Sequence, residues 1–456
     1  AKGMGQNMKR LQSGLSVLLA LLIALPFFPG TTAAAQDTDQ NVPDYSGRSD
    51  SFARYAAAIA DRPAADTTIS LNAADAVLSP TLSEKLEGDS AVRVETGGYV
   101  EWTFSADKSG VYEIGLSYLA SAGKGQKPQI TLTFDGSVPY TEASHYELSR
   151  VYRDAGPIEK NAKGDDLIPE QVEVERWQDR PLLDTAGLSG RNLCLYLEEG
   201  AHTLRLACES ESLYVRSLSL SPGTTVSSDA EKAASYQQNG YQSVEGFLKI
   251  YQAEKTLEKS DVVLYPTYDR TSPATIPYDP VRIRRNTIGK GNWSEPGMWI
   301  SYLIDDIPSD GLYYITFKFR QADAIGVTTF RNVYVNGSIP SKAYENVSFP
   351  YGVDWNQKTV VDENGEPCPV YLTAGENELL MEVSLGPYVE AMRMVDDSIY
   401  ELNRLYTQMV MITGTTPDSY RDYELDKEIP GLLDAFREQA DALYAAAALF
   451  ESLGGE

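Results

Sequence analysis

The chain is predicted to be mainly β, with two tandem antiparallel β-sandwich domains followed by a C-terminal α-helical segment. Short runs of alternating apolar and polar residues recur between residues 67 and 386, and Gly, Asp, Ser and Pro separate them, as is typical of antiparallel strands. Helical patterns do not alternate with these runs, so sheet-on-sheet packing is favoured. After Pro387 the apolar residues change to a helical spacing.

The two sandwiches are predicted from an internal repeat of five short blocks in one order. The first copy has 98–102, 110–112, 134–139, 177–180 and 195–200, and the second has 297–299, 311–313, 335–340, 355–358 and 370–375. Solenoid repeats are about 20 to 50 residues long. This longer repeat therefore indicates a duplicated domain, and we expect each copy to fold as a separate body.

Residues 1–35 are predicted to be a cleaved signal peptide. Lys9 and Arg10 precede the uncharged apolar stretch 15–28, and three alanines end at Ala35, which is the pattern of a secretory signal. A transmembrane helix is the alternative, but two prolines and the short apolar length argue against it. The protein is expected to be secreted, and either extracellular or associated with the cell surface. A lipobox cysteine does not follow the apolar stretch.

The amino-acid composition along the chain predicts the boundaries of the linkers and of the two sandwiches. Residues 36–66 are predicted to be a linker with a short helix around Phe52 to Ile59, 67–222 the first sandwich, 223–243 a linker and 244–386 the second sandwich. Within the first copy, residues 153–175 are charged and aperiodic and are predicted to be an inserted surface loop. Residues 191–220 are predicted to form a hairpin and a final strand.

Residues 387–456 are predicted to be helical and to start a further, truncated domain. Apolar residues recur at helical spacing from Ala391 to Val410 and again from Leu432 to Phe450. Two helices with long apolar stripes need a partner surface. We expect a C-terminal domain, absent from this sequence, to supply it.

Composition excludes several functions. The net charge of −26 repels nucleic acid, so no nucleic-acid partner is expected. Three cysteines and two histidines do not make a metal or redox framework. Cys194 and Cys208 are expected to be free buried thiols. Nucleophile elbows, phosphate loops and metalloprotease helices are absent from the sequence, so the protein is predicted not to be an enzyme.

Aromatic residues are the candidate binding residues, because a flat Trp or Tyr can stack on the apolar face of a sugar ring. Tyr351, Asp354 and Trp355 lie in one short stretch, where they could form such a platform with an acceptor beside it. Trp293 lies in a predicted loop, and Trp177 occupies the place in the first copy that matches Trp355.

The alternative is that matched tryptophans fill the two cores. We favour core filling for Trp102 and Trp299, which lie within predicted strands. Both interpretations stay open for Trp293 and Trp355.

The second copy and the helices together resemble a known family. The resemblance rests on 297–302, 310–313, 336–337, 349–351, Trp355, 371–372, 385–386, 411–414, 417–418 and 421–423. These residues are similar to the N-terminal half of large extracellular solute-binding proteins of Gram-positive ABC-type carbohydrate uptake systems. The resemblance implies tandem jelly-roll, galactose-binding-like sandwiches that bind oligosaccharide or polysaccharide, and an ABC permease as the partner of the missing C-terminal domain.

Two alternatives to this function stay open. The sandwiches could be the accessory carbohydrate-binding region of a secreted glycoside hydrolase, or they could only brace the missing solute-binding domain. No cofactor is expected. In carbohydrate-binding sandwiches of this type a Glu on the first strand often joins a structural calcium site, which leaves calcium near Glu254 open. Because a lone carboxylate does not make an oxygen cage, no metal ligands are assigned.

Overall fold

The computed structural model describes residues 51–86, 90–121, 123 and 125–454. The predicted signal peptide lies outside the described residues. Residues 51–389 form one compact unit and residues 390–454 belong to another. None of the described helices is long and apolar enough to cross a bilayer.

The first copy forms a two-layer antiparallel sandwich, preceded by one short helix. Its elements are α1 (Phe52–Ala58), β1 (Ile69–Asn72), β2 (Val77–Leu78), β3 (Ser83–Lys85), β4 (Val92–Val94), β5 (Tyr99–Ala106), β6 (Gly110–Ala120), β7 (Gln129–Phe134), β8 (Tyr146–Glu147), β9 (Tyr152–Asp154), β10 (Gln171–Glu173), β11 (Gln178–Pro181), β12 (Cys194–Leu197), β13 (Gly200–Ser210) and β14 (Leu213–Ser221). One sheet has the order β11-β6-β14-β4-β3, with β1 on β14 and β12 on β6. The other has the order β2-β5-β13-β7-β8.

Alternation along the strands builds the first core. On β6 the residues Tyr112, Ile114 and Leu116 are buried, while Val111, Glu113 and Gly115, which alternate with them, are half-buried, because successive side chains of a strand point to opposite faces. The predicted helix α1 adds Phe52, which is fully buried in the same core.

The second copy repeats this topology. After α2 (Asp229–Gln238) its strands are β15 (Glu258–Lys259), β16 (Trp299–Ile307), β17 (Gly311–Tyr313), β18 (Thr316–Phe319), β19 (Thr329–Val335), β20 (Val347–Phe349), β21 (Asn356–Thr359), β22 (Val370–Leu372) and β23 (Gly375–Ser384). The order β16-β23-β19-β20 reproduces β5-β13-β7-β8, and the pairs β17–β22 and β18–β21 reproduce β6–β12 and β6–β11. The predicted duplication of a β-sandwich is therefore confirmed.

The copies differ at their C-terminal ends. After β13 the first copy continues into β14, whereas after β23 the chain enters a helix. The pairing of the strands also changes how one block of the sequence repeat is aligned between the copies. Trp102 lies opposite Leu204, and Tyr302 lies opposite Leu379. Because these leucines each lie four residues into matching strands, Tyr302 rather than Trp299 is the counterpart of Trp102.

The expectation that the copies fold as separate bodies is wrong. Strands β10 and β9, which lie within the predicted surface loop, extend the second sheet in the order β10-β9-β15-β16-β23-β19-β20. Lys259 on β15 is fully buried, and its Nζ donates to Asp154 Oδ1 at 2.6 Å and to Gln171 Oε1 at 2.5 Å. A hairpin from the first copy thus becomes the edge of the second sandwich.

Trp299 is buried, but not in the second core as predicted. The guanidinium of Arg180, from the first copy, lies 4.2 Å from its ring centroid, and Trp299 lines a small cavity with Tyr118 and Tyr146. Trp299 therefore fills the junction between the copies. Trp102 does lie in the first core, where its Nε1 donates to the carbonyl of Asn72 at 2.8 Å.

The prediction of a hairpin within residues 191–220 is also wrong, because β12 and β13 do not pair with each other. Strand β12 pairs with β6 and strand β13 pairs with β5 and β7, so the turn between them connects the two sheets. Cys194 and Cys208 are free and buried, as predicted. Burial raises the pKa of the Cys194 thiol to about 11 and that of Cys208 to about 12.

The helical unit contains α3 (Val389–Thr413), α4 (Leu425–Glu428) and α5 (Leu432–Ser452), which confirms the predicted C-terminal helical segment. Val395 and Leu405 on α3 and Leu432 on α5 are buried. Met411 and Tyr444, by contrast, are 82% and 61% exposed.

Candidate functional site

Trp355 lies where two strands of the second sandwich end. It directly precedes β21, which pairs with β18 so that Asn356 lies opposite Phe319. Arg320, the residue after Phe319, is therefore brought to the same end of this hairpin. Loops commonly gather at such ends of a sandwich and carry binding residues.

A buried carboxylate joins Trp355 to Arg320. Asp269 is only 6% exposed, and its Oδ2 accepts from Trp355 Nε1 at 2.9 Å and from Arg320 Nη1 at 2.9 Å. Its Oδ1 accepts from the backbone N–H of Thr271 at 2.7 Å and from its hydroxyl at 2.6 Å. One side chain thus connects the loop before β16 to the ends of β18 and β21.

These hydrogen bonds determine the charge of Asp269. Burial by itself raises the pKa of this carboxyl, but the bonds from Thr271, Trp355 and Arg320 outweigh burial and lower the pKa to about 2. Hydrogen bonds to the ionised form favour that form. Asp269 is consequently an anion at neutral pH.

The backbone around Asp269 is held from the other side of its loop. The backbone N–H of Asp269 donates to Asn286 Oδ1 at 2.8 Å, and Asn286 Nδ2 donates to the carbonyls of Asp269 and Pro277 at 3.0 and 2.8 Å. The hydroxyls of Thr267 and Thr287 are 2.7 Å apart. The carboxylate is therefore positioned before any ligand arrives.

The surface beside Trp355 is open. Tyr351 is 38% exposed, Asp354 is exposed and Trp355 is half-buried. Their loop is anchored by the backbone N–H of Gly352, which donates to the carbonyl of Gln321 at 2.7 Å. Since the indole N–H of Trp355 is already bonded, its ring faces are what remain to contact a ligand, with Asp354 nearby in the chain as an acceptor.

Trp293 makes a different set of contacts. Its Nε1 donates to the carbonyl of Met298 at 3.1 Å, and the guanidinium of Arg331 lies 4.5 Å from its ring centroid. Burial lowers the pKa of Arg331 to about 10. Trp293 packs against the second core, so the structure does not bring it into the site of Trp355, and core filling is the interpretation these contacts favour.

Trp177 occupies the matching place in the first copy, directly before β11. The guanidinium of Arg216 lies 3.9 Å from its ring centroid. In the described part of the chain no cation is found over the ring of Trp355. The two matched tryptophans are therefore equivalent in topology, but they differ in that Trp177 carries a cation on its ring.

Sequence reasoning missed Asp269 and Arg320. Asp269 lies in a long aperiodic loop that offers no pattern, but Arg320 directly follows a clear strand and could have been placed opposite Trp355 by pairing the strands. Among the described residues no group of three or more His, Cys, Asp and Glu side chains could hold a metal ion. Glu254 is buried, and burial raises the pKa of its carboxyl.

Several solved structures are similar to the chain. A β-(1,4)-mannanase of Podospora anserina with a family 35 carbohydrate-binding module is 11% identical over 39% of this chain and 35% of its own, with a TM-score of 0.22. A family 35 carbohydrate-binding module of Clostridium thermocellum is 15% identical over 34% of this chain and 97% of its own, with a TM-score of 0.20. The module CBM36 in complex with calcium and xylotriose is 12% identical over 34% of this chain and 99% of its own, with a TM-score of 0.21.

At TM-scores this low these likenesses support no statement about the ligand of this chain. No curated protein sequence matches the chain. Residues 390–455 match the family model described as the bacterial solute-binding protein, 4-helix bundle domain. The resemblance to solute-binding proteins predicted from the sequence is thereby confirmed for this C-terminal segment.

Proposed function

We propose that the chain is the non-catalytic, secreted, carbohydrate-binding part of an extracellular solute-binding protein that serves ABC-type sugar uptake. The observation that carries the proposal is the match of residues 390–455 to the helical domain of bacterial solute-binding proteins. The second sandwich adds an open aromatic surface held by a buried carboxylate.

The proposed ligand is an oligosaccharide or polysaccharide bound at Trp355. A pyranose ring offers a face of C–H groups that stacks on an indole, and its hydroxyls need polar partners at the rim. Tyr351 and Asp354 are exposed in the same loop and supply a second aromatic ring and a carboxylate. Because Asp269 holds the indole N–H and Arg320 in turn holds Asp269, Trp355 should lose little conformational freedom on binding.

The chemistry of the site supports binding rather than catalysis. A general acid needs a proton to donate near neutral pH, whereas the pKa of Asp269 is about 2. Both oxygens of this carboxylate already accept hydrogen bonds from Thr271, Trp355 and Arg320. Asp269 is therefore suited to position its neighbours.

The proposed setting is the cell surface. Solute-binding proteins deliver sugars to a membrane permease, so we assign an ABC permease as the partner, reached through a further domain. The sandwiches would then hold glycans near the importer.

A glycan array tests the proposed binding. Binding of a defined class of glycan to the wild-type chain, at least tenfold weaker after Trp355→Ala, is expected. Tyr314→Ala, which removes another exposed aromatic ring, should leave binding unchanged. Binding to no glycan would contradict the proposal and favour sandwiches that only brace another domain.

Uptake in the source bacterium separates transport from hydrolysis. Deleting the gene should reduce import of the glycan found on the array and leave its extracellular cleavage unchanged. Reduced cleavage with normal import would instead support an accessory region of a glycoside hydrolase.

A further inference from the structure

The loop that carries Asp269 is basic in an acidic protein. Residues 265–293 contain five basic residues and two acidic ones, while the whole chain has a net charge of −26. Charged loops are often only solvated. The arrangement of these side chains, however, concentrates several of the cations in one place.

Three of the cations surround one tyrosine ring. Lys290 Nζ lies 4.8 Å from the ring centroid of Tyr268, and the guanidinium carbons of Arg270 and Arg285 lie at 5.5 and 5.7 Å. Arg270 and Lys290 are exposed, and Tyr268 and Arg285 are half-buried. We call these four residues the Tyr268 cluster.

Within the described residues, none of these three cations forms an ion pair, although the chain has 65 acidic residues. Asp166 is close to Arg285, but one of its oxygens accepts from Arg284 Nη1 at 3.1 Å and the other from the backbone N–H of Arg285 at 3.0 Å. The Nε of Arg285 is buried and has no hydrogen-bond partner among the residues that the structure describes. Arg270 Nη1 donates to the carbonyl of Val281 at 3.3 Å.

Like charges gathered around one ring repel one another, and a bound anion reduces that repulsion. Guanidinium groups bind carboxylate and sulfate oxygens with paired hydrogen bonds. We propose that the Tyr268 cluster binds the carboxylate or sulfate ester of an acidic glycan. That the anion belongs to a glycan rests on the function proposed above.

The surroundings favour isolated anionic groups on a sugar chain over a nucleic acid or an anionic lipid surface. Three cations around one ring match one or two oxyanions, whereas the remaining negative charge repels a densely charged surface. Tyr268 and Arg270 flank Asp269 in sequence, and Asp269 bonds Trp355. A single loop therefore connects the proposed anion site to the proposed stacking site.

Binding to three polymers tests the inference: polygalacturonate for carboxylate, dextran sulfate for sulfate ester, and dextran as a neutral polymer. The variant is Arg270→Gln/Lys290→Gln, which changes two exposed side chains. Its charge-matched control is Arg205→Gln/Arg421→Gln, because each of these arginines also lies over a tyrosine, at 4.3 and 4.8 Å, outside the loop. Melting temperatures check that both variants are folded.

We expect one of the acidic polymers to bind at low salt, and the Arg270→Gln/Lys290→Gln variant to bind it at least tenfold more weakly than the control variant. Added salt should weaken this binding. Equal loss in both variants, or binding to neither acidic polymer, overturns the inference. The inference is also overturned if the chain binds anionic lipid vesicles or DNA as strongly as the acidic polymer and loses this binding in the Arg270→Gln/Lys290→Gln variant.

Trp355→Ala distinguishes this inference from the proposed function. If neutral glycans on the array fail to bind but an acidic polymer binds through the Tyr268 cluster, the proposal for Trp355 is contradicted and the proposal for the cluster stands. If neutral glycans bind at Trp355 and neither acidic polymer binds, the cluster proposal fails alone.

Discussion

The indole N–H of Trp355 and the guanidinium of Arg320 share one acceptor, the Oδ2 atom of Asp269, each at 2.9 Å. A residue 86 positions before Trp355 in the chain thus sets the position of the aromatic ring proposed to bind sugar. The aromatic surface of the second sandwich therefore depends on a buried charge.

Replacing this charge tests its structural importance. Asp269→Asn keeps the size of the side chain but weakens the bonds to Arg320 and Thr271, and bonds to charged groups each contribute about 1.5–3 kcal/mol. We expect the free energy of unfolding of the 51–389 unit to fall by about 2 kcal/mol, measured by urea denaturation. Asp354→Asn, at an exposed carboxylate, is the control and should change it by less than about 0.5 kcal/mol. Equal effects of the two substitutions would contradict this account of Asp269.

The stabilisation from Asp269 should depend on pH. Its pKa is about 2 in the folded protein and about 3.9 in an unfolded chain, so its contribution is present above pH 4 and is lost as the pH falls towards 2. The difference in unfolding free energy between wild type and Asp269→Asn should shrink steadily between pH 5 and pH 2. A difference that is constant or grows over this range would contradict the low pKa.

Much of the fold could be predicted because strands carry local patterns. The alternation from Val111 to Tyr118 marks β6, and the helical spacing after Pro387 marks α3. The joining of the copies could not be predicted, because strands β9 and β10 are three residues each and lie in a charged stretch. Lys259 bonds Asp154 on β9 and Gln171 on β10, and its contact with Asp154 spans 105 residues with no signal in the sequence.

Less of the candidate site could be predicted. The repeat indicated that Trp177 and Trp355 are equivalent, and the structure places both directly before matching strands. The repeat could not show that a cation covers Trp177, because Arg216 lies on β14, a strand that follows β13 in the first copy and has no equivalent after β23. Contacts made by unrepeated parts of the chain decide how the two tryptophans differ.

Lys259→Met tests the connection between the copies. This substitution leaves Asp154 without its buried cationic partner, and breaking such a pair typically costs about 3–5 kcal/mol. We expect a loss of about 3 kcal/mol in unfolding free energy and faster proteolysis within residues 155–170. Lys255→Met, at an exposed lysine, is the control. Unchanged proteolysis in Lys259→Met would show that the hairpin is held by other contacts.

Trp293→Ala should act on stability. The ring packs beside the guanidinium of Arg331 and against the second core, and truncating a packed tryptophan costs about 3–5 kcal/mol. We expect the free energy of unfolding to fall by about 3 kcal/mol in urea denaturation. Tyr351→Ala, at an exposed ring in the candidate site, should lower it by less than about 1 kcal/mol. A larger loss of unfolding free energy in Tyr351→Ala than in Trp293→Ala would indicate that Trp293 lies at the surface.

The most direct measurement is a crystal structure of the chain with the oligosaccharide that binds best on the array. The account predicts a sugar ring stacked on the indole of Trp355, with the hydrogen bond from Trp355 to Asp269 intact. A sugar bound elsewhere, with the ring of Trp355 uncovered, would contradict it.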